Sequence, residues 1–155
     1  MHTENRIEIY GDIEEIFQMA AAICEWPKIL PHYRWVKILK QDERKTVAEM
    51  AAHRDGIPVR WSAIQEVYPE EKRITYTHIG GFTKGMEVEW RMEQEKNLVK
   101  ISITHDFTLS WPFVGIFISR YIVGEFFVRN IASKTLRAIK RHIEKGYPWI
   151  DDVSS

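Results

Sequence analysis

Cysteine is almost missing from this chain: Cys24 stands alone among 155 residues. An internal disulfide and a cysteine-rich zinc site are therefore excluded, and a reducing, cytoplasmic setting is the expectation. Neither sign of charge is in excess, with Lys plus Arg and Asp plus Glu at 22 each. Nucleic-acid binders usually carry a basic surplus, so no nucleic-acid partner is expected. No apolar run is long enough to span a bilayer. The longest, residues 107–119, holds 13 residues between Asp106 and Arg120, against roughly 20 needed to cross hydrocarbon. The six histidines show no H-x-x-x-H or H-E-x-x-H spacing, so no metal site is expected. A phosphate loop, a dinucleotide fingerprint and a nucleophile elbow are all lacking, which predicts no cofactor and no nucleotide-dependent chemistry. The opening MHTENRIEIYGD is polar and does not read as a signal peptide.

What is present alternates. Residues 6–10 read as a first strand. Asp12 is placed to cap a helix over 13–24, with Glu15 at the capping-box position, and Cys24 reads as packing within that helix. Pro27 and Pro31 end it and leave room for one short helical turn. From residue 33 the period changes to two. Strands are predicted over 33–39, 45–54, 59–68, 73–79, 84–94 and 98–109, joined by turns such as DGIP (55–58) and YPEEK (68–72). Met86, Val88, Trp90 and Met92 oppose Glu87, Glu89, Arg91 and Glu93. Val99, Ile101, Ile103, His105, Phe107 and Leu109 likewise share one face. Each strand is apolar on one side, so the sheet is an antiparallel meander with one wet face. A long helix over about 116–145, ended by GYP, is the one element large enough to cover the dry face. The fold class is α+β: a curved antiparallel sheet of about seven strands wrapped around a C-terminal helix. With no repeats or linkers, a single domain is expected over 1–155, its core about 4–146 and a tail at 147–155.

On a helical wheel, Phe117, Tyr121, Gly124, Val128, Ile131, Thr135 and Ile139 form one stripe, and Ser133, Lys134, Arg137, Lys140, Arg141 and Glu144 lie opposite. In the stretch WPFVGIFISRYIVGEFF (111–127), Ile116, Ile122, Val123 and Phe126 fall off the stripe, where solvent would be. Three readings stand side by side. Neighbouring loops or a homodimer partner cover them; this end frames the mouth of an apolar cavity; or it docks peripherally on a membrane or a donor protein. A strongly curved sheet cannot press against a helix along its whole length, which leaves a hollow for large side chains or a ligand. The inward residues Thr46, Ala48, Met50 and Ala52, with Gly124, facing Trp61, Tyr76, Trp90 and Phe107 fit such a cavity and also fit interdigitated packing. His105, in phase with Ile103 and Phe107, and His78, in phase with Ile74 and Tyr76, are polar candidates aimed into it.

Element order, length and the segment ICEWPKILPHYRWVKIL (23–39) resemble the START-like (SRPBCC, helix-grip) superfamily. That group includes polyketide cyclase/dehydrases, coenzyme Q-binding proteins, the birch-pollen allergens and lipid-transfer START domains. The most specific part of the likeness is Trp26-Pro27, then Pro31 and Tyr33 leading into a strand. The resemblance implies an elongated apolar or aromatic ligand held between sheet and helix, with no cofactor. Trp26, Tyr33, Met50, Trp61, Tyr76, His78, Trp90, His105 and Phe107 would touch it from the sheet side. Phe117, Tyr121, Gly124 and Val128 would touch it from the helix. Aromatase/cyclases of this kind pair a cavity arginine on a middle strand with the tyrosine matched by Tyr33. Here Gln65 or Glu66 falls near the arginine position, and Arg60 has the opposite parity to Trp61. Without that cation the obvious means of stabilising an enolate is missing. Carriage of a lipid, quinone or polyketide-like molecule is therefore the leading expectation. An aromatase/cyclase or dehydratase using Tyr33 and His105 is the alternative.

Overall fold

The computed structural model describes residues 2–54, 57–81, 83–107 and 131–145. Seven strands form one antiparallel sheet: β1 (His2–Tyr10), β2 (Tyr33–Gln41), β3 (Lys45–Arg54), β4 (Ile57–Tyr68), β5 (Arg73–Gly81), β6 (Glu87–Glu95) and β7 (Leu98–Asp106). Their order across the sheet is β1-β7-β6-β5-β4-β3-β2. Strands β2 to β7 thus form a meander, and β1 closes onto the last of them. Between β1 and β2 lie α1 (Ile13–Ala21), a 3₁₀ turn at Ile23–Glu25, and α2 (Trp26–Ile29). The chain's last described element is α3 (Ser133–Lys145). The described half of the expected 116–145 helix is therefore helical; the remainder, including Phe117, Tyr121, Gly124, Val128 and the 111–127 segment, lies outside the described residues.

Local chemistry accounts for the elements. The Asp12 carboxylate accepts from the backbone N–H of Glu15 at 3.3 Å, supplying the N-cap that α1 needs. Helix α1 stops at Ala21, not Cys24. Ala22 leaves helical geometry, the chain tightens into the 3₁₀ turn, and Cys24 is exposed instead of packed. That break swings Ile23 and Trp26 into the core, at 3% exposure each. Pro27 sits in the first turn of α2, where its missing N–H costs no hydrogen bond. Strand β1 begins four residues earlier than the apolar pattern implies, because its first half is held by backbone pairing to β7 from His2 opposite Asp106 onward. Strand β6 begins at Glu87 because residues 83–86 fold as a turn onto β5, with Gly85 N–H donating to the His78 carbonyl at 2.8 Å.

The sheet bends at register shifts between Tyr33 and Trp35, Ile38 and Lys40, and Ser62 and Ala63, as bulges do. Gly81, paired with Trp61 next to the last of these, has φ +89°; a Cβ there would sit 2.8 Å from the Arg60 carbonyl oxygen, so only glycine fits. The concave face carries the core: Thr46, Ala48, Met50 and Ala52 of β3, Met86, Val88, Trp90 and Met92 around β6, and Val99, Ile101 and Ile103 of β7 are all buried. Against it pack Ile131, just ahead of α3, and Thr135, Leu136 and Ile139 of α3. The opposite flank of α3 is not simply solvated, as its charge suggests. Lys140 Nζ donates to the Glu8 carbonyl at 2.6 Å, and the Glu144 carboxylate accepts from Tyr10 N–H at 2.8 Å. Both groups belong to the outer edge of β1, so the helix covers that border of the sheet. At the other border no further described strand pairs with β2, and Lys37, Ile38, Leu39 and Lys40 are exposed.

Candidate functional site

Where the sheet curves away from α3, aromatic rings converge. Trp26 stands edge-on to Tyr33 with centroids 5.2 Å apart and stacks on Trp90 at 6.0 Å. Tyr33 meets Trp61 at 6.0 Å, and Trp61 stacks nearly parallel to the His78 ring at 6.0 Å. These side chains reach one place because α2 tips Trp26 inward while the two-residue period of β2, β4, β5 and β6 presents Tyr33, Trp61, Tyr76 and Trp90 on the concave face. Met50, Val88, Ile103 and His105 complete the sheet side; Ile131, Ala132 and Thr135 close it from the helix.

Eight of the thirteen residues anticipated from the sequence line this hollow: Trp26, Tyr33, Met50, Trp61, Tyr76, His78, Trp90 and His105. Phe107 is buried at 1% and is not among the residues lining this hollow. It lies beyond His105, where the described part of β7 has ended. Phe117, Tyr121, Gly124 and Val128 lie outside the described residues. Val88, Ile103, Ile131, Ala132 and Thr135 were missed as lining. All but Ala132 share a strand face or helix stripe with residues that were named, which is the signal that could have found them. The free volume is about 40 Å³, room for two or three waters at about 15 Å³ each. The expectation of a ready-made cavity is thus met only in part.

The polar groups are few and settled. Gln65 is 4% exposed and donates from Nε2 to the Ala21 carbonyl at 3.0 Å and to the Tyr76 hydroxyl oxygen at 3.1 Å. It therefore satisfies an orphan carbonyl of the last turn of α1 and leaves the Tyr76 hydrogen to point elsewhere. Burial pushes both tyrosine hydroxyls well above their ordinary range; Tyr76 and Thr135 respectively add to and soften the effect on Tyr33, and Gln65 softens it on Tyr76. Both stay protonated donors. His78 is held down to about 3 by burial and by the neighbouring His105, and shares a 2.7 Å hydrogen bond between Nδ1 and Thr83 Oγ1. Burial holds His105 to about 4 although Asp106 pulls the other way. Thr135 donates to the Ile131 carbonyl at 2.7 Å and lies 3.0 Å from His32 Nε2. Among the described residues the lining includes no Lys, Arg, Asp or Glu, and Arg60 points to the exposed face. No group of three or more His, Cys, Asp or Glu among the described residues could hold a metal, and no described helix is long and apolar enough to cross a membrane.

Known proteins share this fold. A protein named as a candidate polyketide cyclase from Streptomyces cyaneus is 21% identical over 112 residues, covering 70% of this chain and 73% of that protein. The crystal structure of the Zhui aromatase/cyclase from Streptomyces sp. R1128 superposes with a TM-score of 0.79 at 17% identity, covering 94% of this chain and 97% of that one. A START superfamily protein from Mycobacterium smegmatis gives a TM-score of 0.73 at 14% identity, covering 94% of this chain and 99% of that one. The structural likenesses speak to the helix-grip fold alone. A family profile described as polyketide cyclase / dehydrase and lipid transport matches residues 11–138, most of the chain, and this protein belongs to that family.

Proposed function

We propose that the protein binds a hydrophobic, ring-bearing small molecule, such as a quinone, a lipid or a polyketide-like compound, between the sheet and α3, and carries it without transforming it. One observation supports this reading above the others: the wall is built of Trp26, Tyr33, Trp61, Tyr76 and Trp90 and, among the described residues, holds no charged group at neutral pH. Aromatic faces stack on flat apolar ligands in a sequence of offset and edge contacts. The two tyrosine hydroxyls would orient a carbonyl or phenol. Ligand sites of this kind occupy roughly 300 Å³ or more, so occupancy requires the interlocked rings to swing apart. A ligand then stands in for contacts that the empty protein makes with itself.

A second reading, a polyketide cyclase or dehydratase, is favoured by the names of the relatives and by Tyr33, a buried neutral hydroxyl able to donate to a ligand oxygen as charge develops there. His105 would be its proton acceptor. Gln65 in place of a cation argues against strong enolate stabilisation.

Native mass spectrometry of the freshly purified protein, before and after organic extraction, tests the proposal. A co-purified apolar mass that extraction removes is the expected result. Tyr33→Phe and His105→Ala should weaken its retention by about tenfold at most, whereas either would abolish turnover of a linear polyketide if the second reading holds. Protein that arrives empty and shows no thermal shift with quinones, fatty acids or aromatic polyketides would refute the carrier.

A further inference from the structure

The aromatic hollow has a hydrogen-bonding direction. Gln65 and Tyr76 stand opposite each other on β4 and β5, exposed by only 4% and 6%. The Gln65 atom that faces the Tyr76 hydroxyl oxygen at 3.1 Å also faces the Ala21 carbonyl oxygen at 3.0 Å. A carbonyl oxygen meets a donor, so that atom is the amide nitrogen and the flipped amide is excluded. Both amide hydrogens are thereby engaged, and the Tyr76 oxygen is an acceptor. The Tyr76 hydrogen has no acceptor among the described residues. Neighbouring donors of the wall are committed: the Trp26 indole gives to the Met19 carbonyl at 3.3 Å, Thr135 gives to the Ile131 carbonyl at 2.7 Å, and His78 shares its bond with Thr83. Burial lifts the Tyr76 hydroxyl well above its ordinary range while Gln65 pulls the other way, so the hydrogen stays in place at neutral pH.

We propose that Tyr76, oriented by Gln65, selects the ligand: the hollow takes a skeleton that brings an acceptor oxygen, the carbonyl of a ketone or quinone, in preference to the same skeleton as an alcohol, a hydroquinone or a bare hydrocarbon. This rests on the reading of the hollow as a site for a ring-bearing apolar molecule, and it adds the oxidation level of that molecule. A buried donor left without an acceptor is costly, and a carbonyl meets the Tyr76 hydrogen with nothing left over. A hydrocarbon leaves that hydrogen stranded. A hydroxyl that accepts from Tyr76 brings a hydrogen of its own to be matched; one that donates to the Tyr76 oxygen strands the tyrosine hydrogen instead. No Lys or Arg lines the hollow among the described residues, so the ligand oxygen meets a neutral donor, which suits a carbonyl better than a carboxylate. Gln65 acts through Tyr76 and is a positioning residue.

The experiment is equilibrium dialysis of the full chain against three probes with one ring skeleton: 9-fluorenone, 9-hydroxyfluorene and fluorene. The ketone should bind at least about tenfold more tightly than either of the others. Tyr76→Phe should bring the ketone down to the level of the hydrocarbon and leave fluorene where it was. Gln65→Glu keeps the tyrosine but offers the Tyr76 hydrogen a carboxyl oxygen, so the preference for the ketone should vanish there too. A role for Gln65 in folding alone would weaken all three probes together and leave their ratio unchanged, and that result would overturn its positioning role. Should Tyr76→Phe fail to fold, the three affinities of the parent and their ratio in Gln65→Glu still decide. Equal binding of the three probes by the parent, a preference for the alcohol, or a ketone preference that survives in Tyr76→Phe would overturn the proposal while leaving the hollow an apolar site. Binding of none of the three would sink the reading of the hollow itself, and this inference with it.

Discussion

Gln65 shows how one side chain fixes both structure and chemistry. Its amide joins the end of α1 to the Tyr76 hydroxyl, so the helix, the sheet and the wall of the hollow share a single buried group. Gln65→Met keeps the volume but strands the Ala21 carbonyl and the tyrosine oxygen. Urea denaturation should show a loss of about 1–3 kcal/mol, the usual result of leaving buried polar atoms unmet; a change within ~0.5 kcal/mol would mean that water replaces the amide. From the sequence, Gln65 and Glu66 stood as alternatives close to where a cation would stand in an aromatase. Its partners were not, because Ala21 and Tyr76 meet it only across the fold. The two-residue period was enough to place Trp61, Trp90 and His105 on the concave face. It could not foresee that the rings would lock together and leave about 40 Å³, since that depends on how far each bulge bends the sheet.

At the scale of elements, α3 does two jobs. Its apolar stripe was plain from the sequence, and Ile131, Thr135 and Ile139 are buried as their spacing implies. Its polar flank reads as solvated on a wheel, yet Lys140 and Glu144 satisfy the outward Glu8 carbonyl and Tyr10 N–H of β1. A wheel carries no information about which strand lies beside the helix, so this role could not be read from one sequence. Lys140→Met combined with Glu144→Met, which removes the acceptor for Tyr10 N–H, should cost about 1–2 kcal/mol. The amide of Tyr10 should lose its protection in hydrogen exchange by about tenfold or more while the β7 amides keep theirs. Equal exchange in both proteins would show that β1 holds its edge unaided. The boundary errors have a similar origin. Strand β1 starts early because backbone pairing, not apolar pattern, holds His2–Asn5 against β7.

For the molecule as a whole, three buried histidines set an acid limit. His32, His78 and His105 have folded values near 4, 3 and 4 against an ordinary 6.5. The unfolded chain takes up protons as pH falls below about 6.5, and the folded chain does not until much lower. Their contribution is therefore complete above that pH and drains away beneath it, by up to about 1.4 kcal/mol per pH unit for each ring. Between pH 7 and pH 5 the urea midpoint should fall steeply, and His78→Gln should remove roughly a third of that slope. A midpoint that stays level over this range would contradict the burial of all three. The fold class was open to view in the sequence because alternation, turn spacing and a closing amphipathic helix agree with one another. The meeting of His32 with Thr135 was not, because the two lie 103 positions apart in the chain.

The free border at β2 bears on how the molecule keeps its own company. Lys37 and Lys40 bracket Ile38 and Leu39 there, and the backbone is kinked between Ile38 and Lys40. A second copy trying to add an eighth strand would bring ammonium groups face to face along a ladder that is out of step. Among the described strands the ribbon ends at β2 on one side, and on the other α3 covers β1.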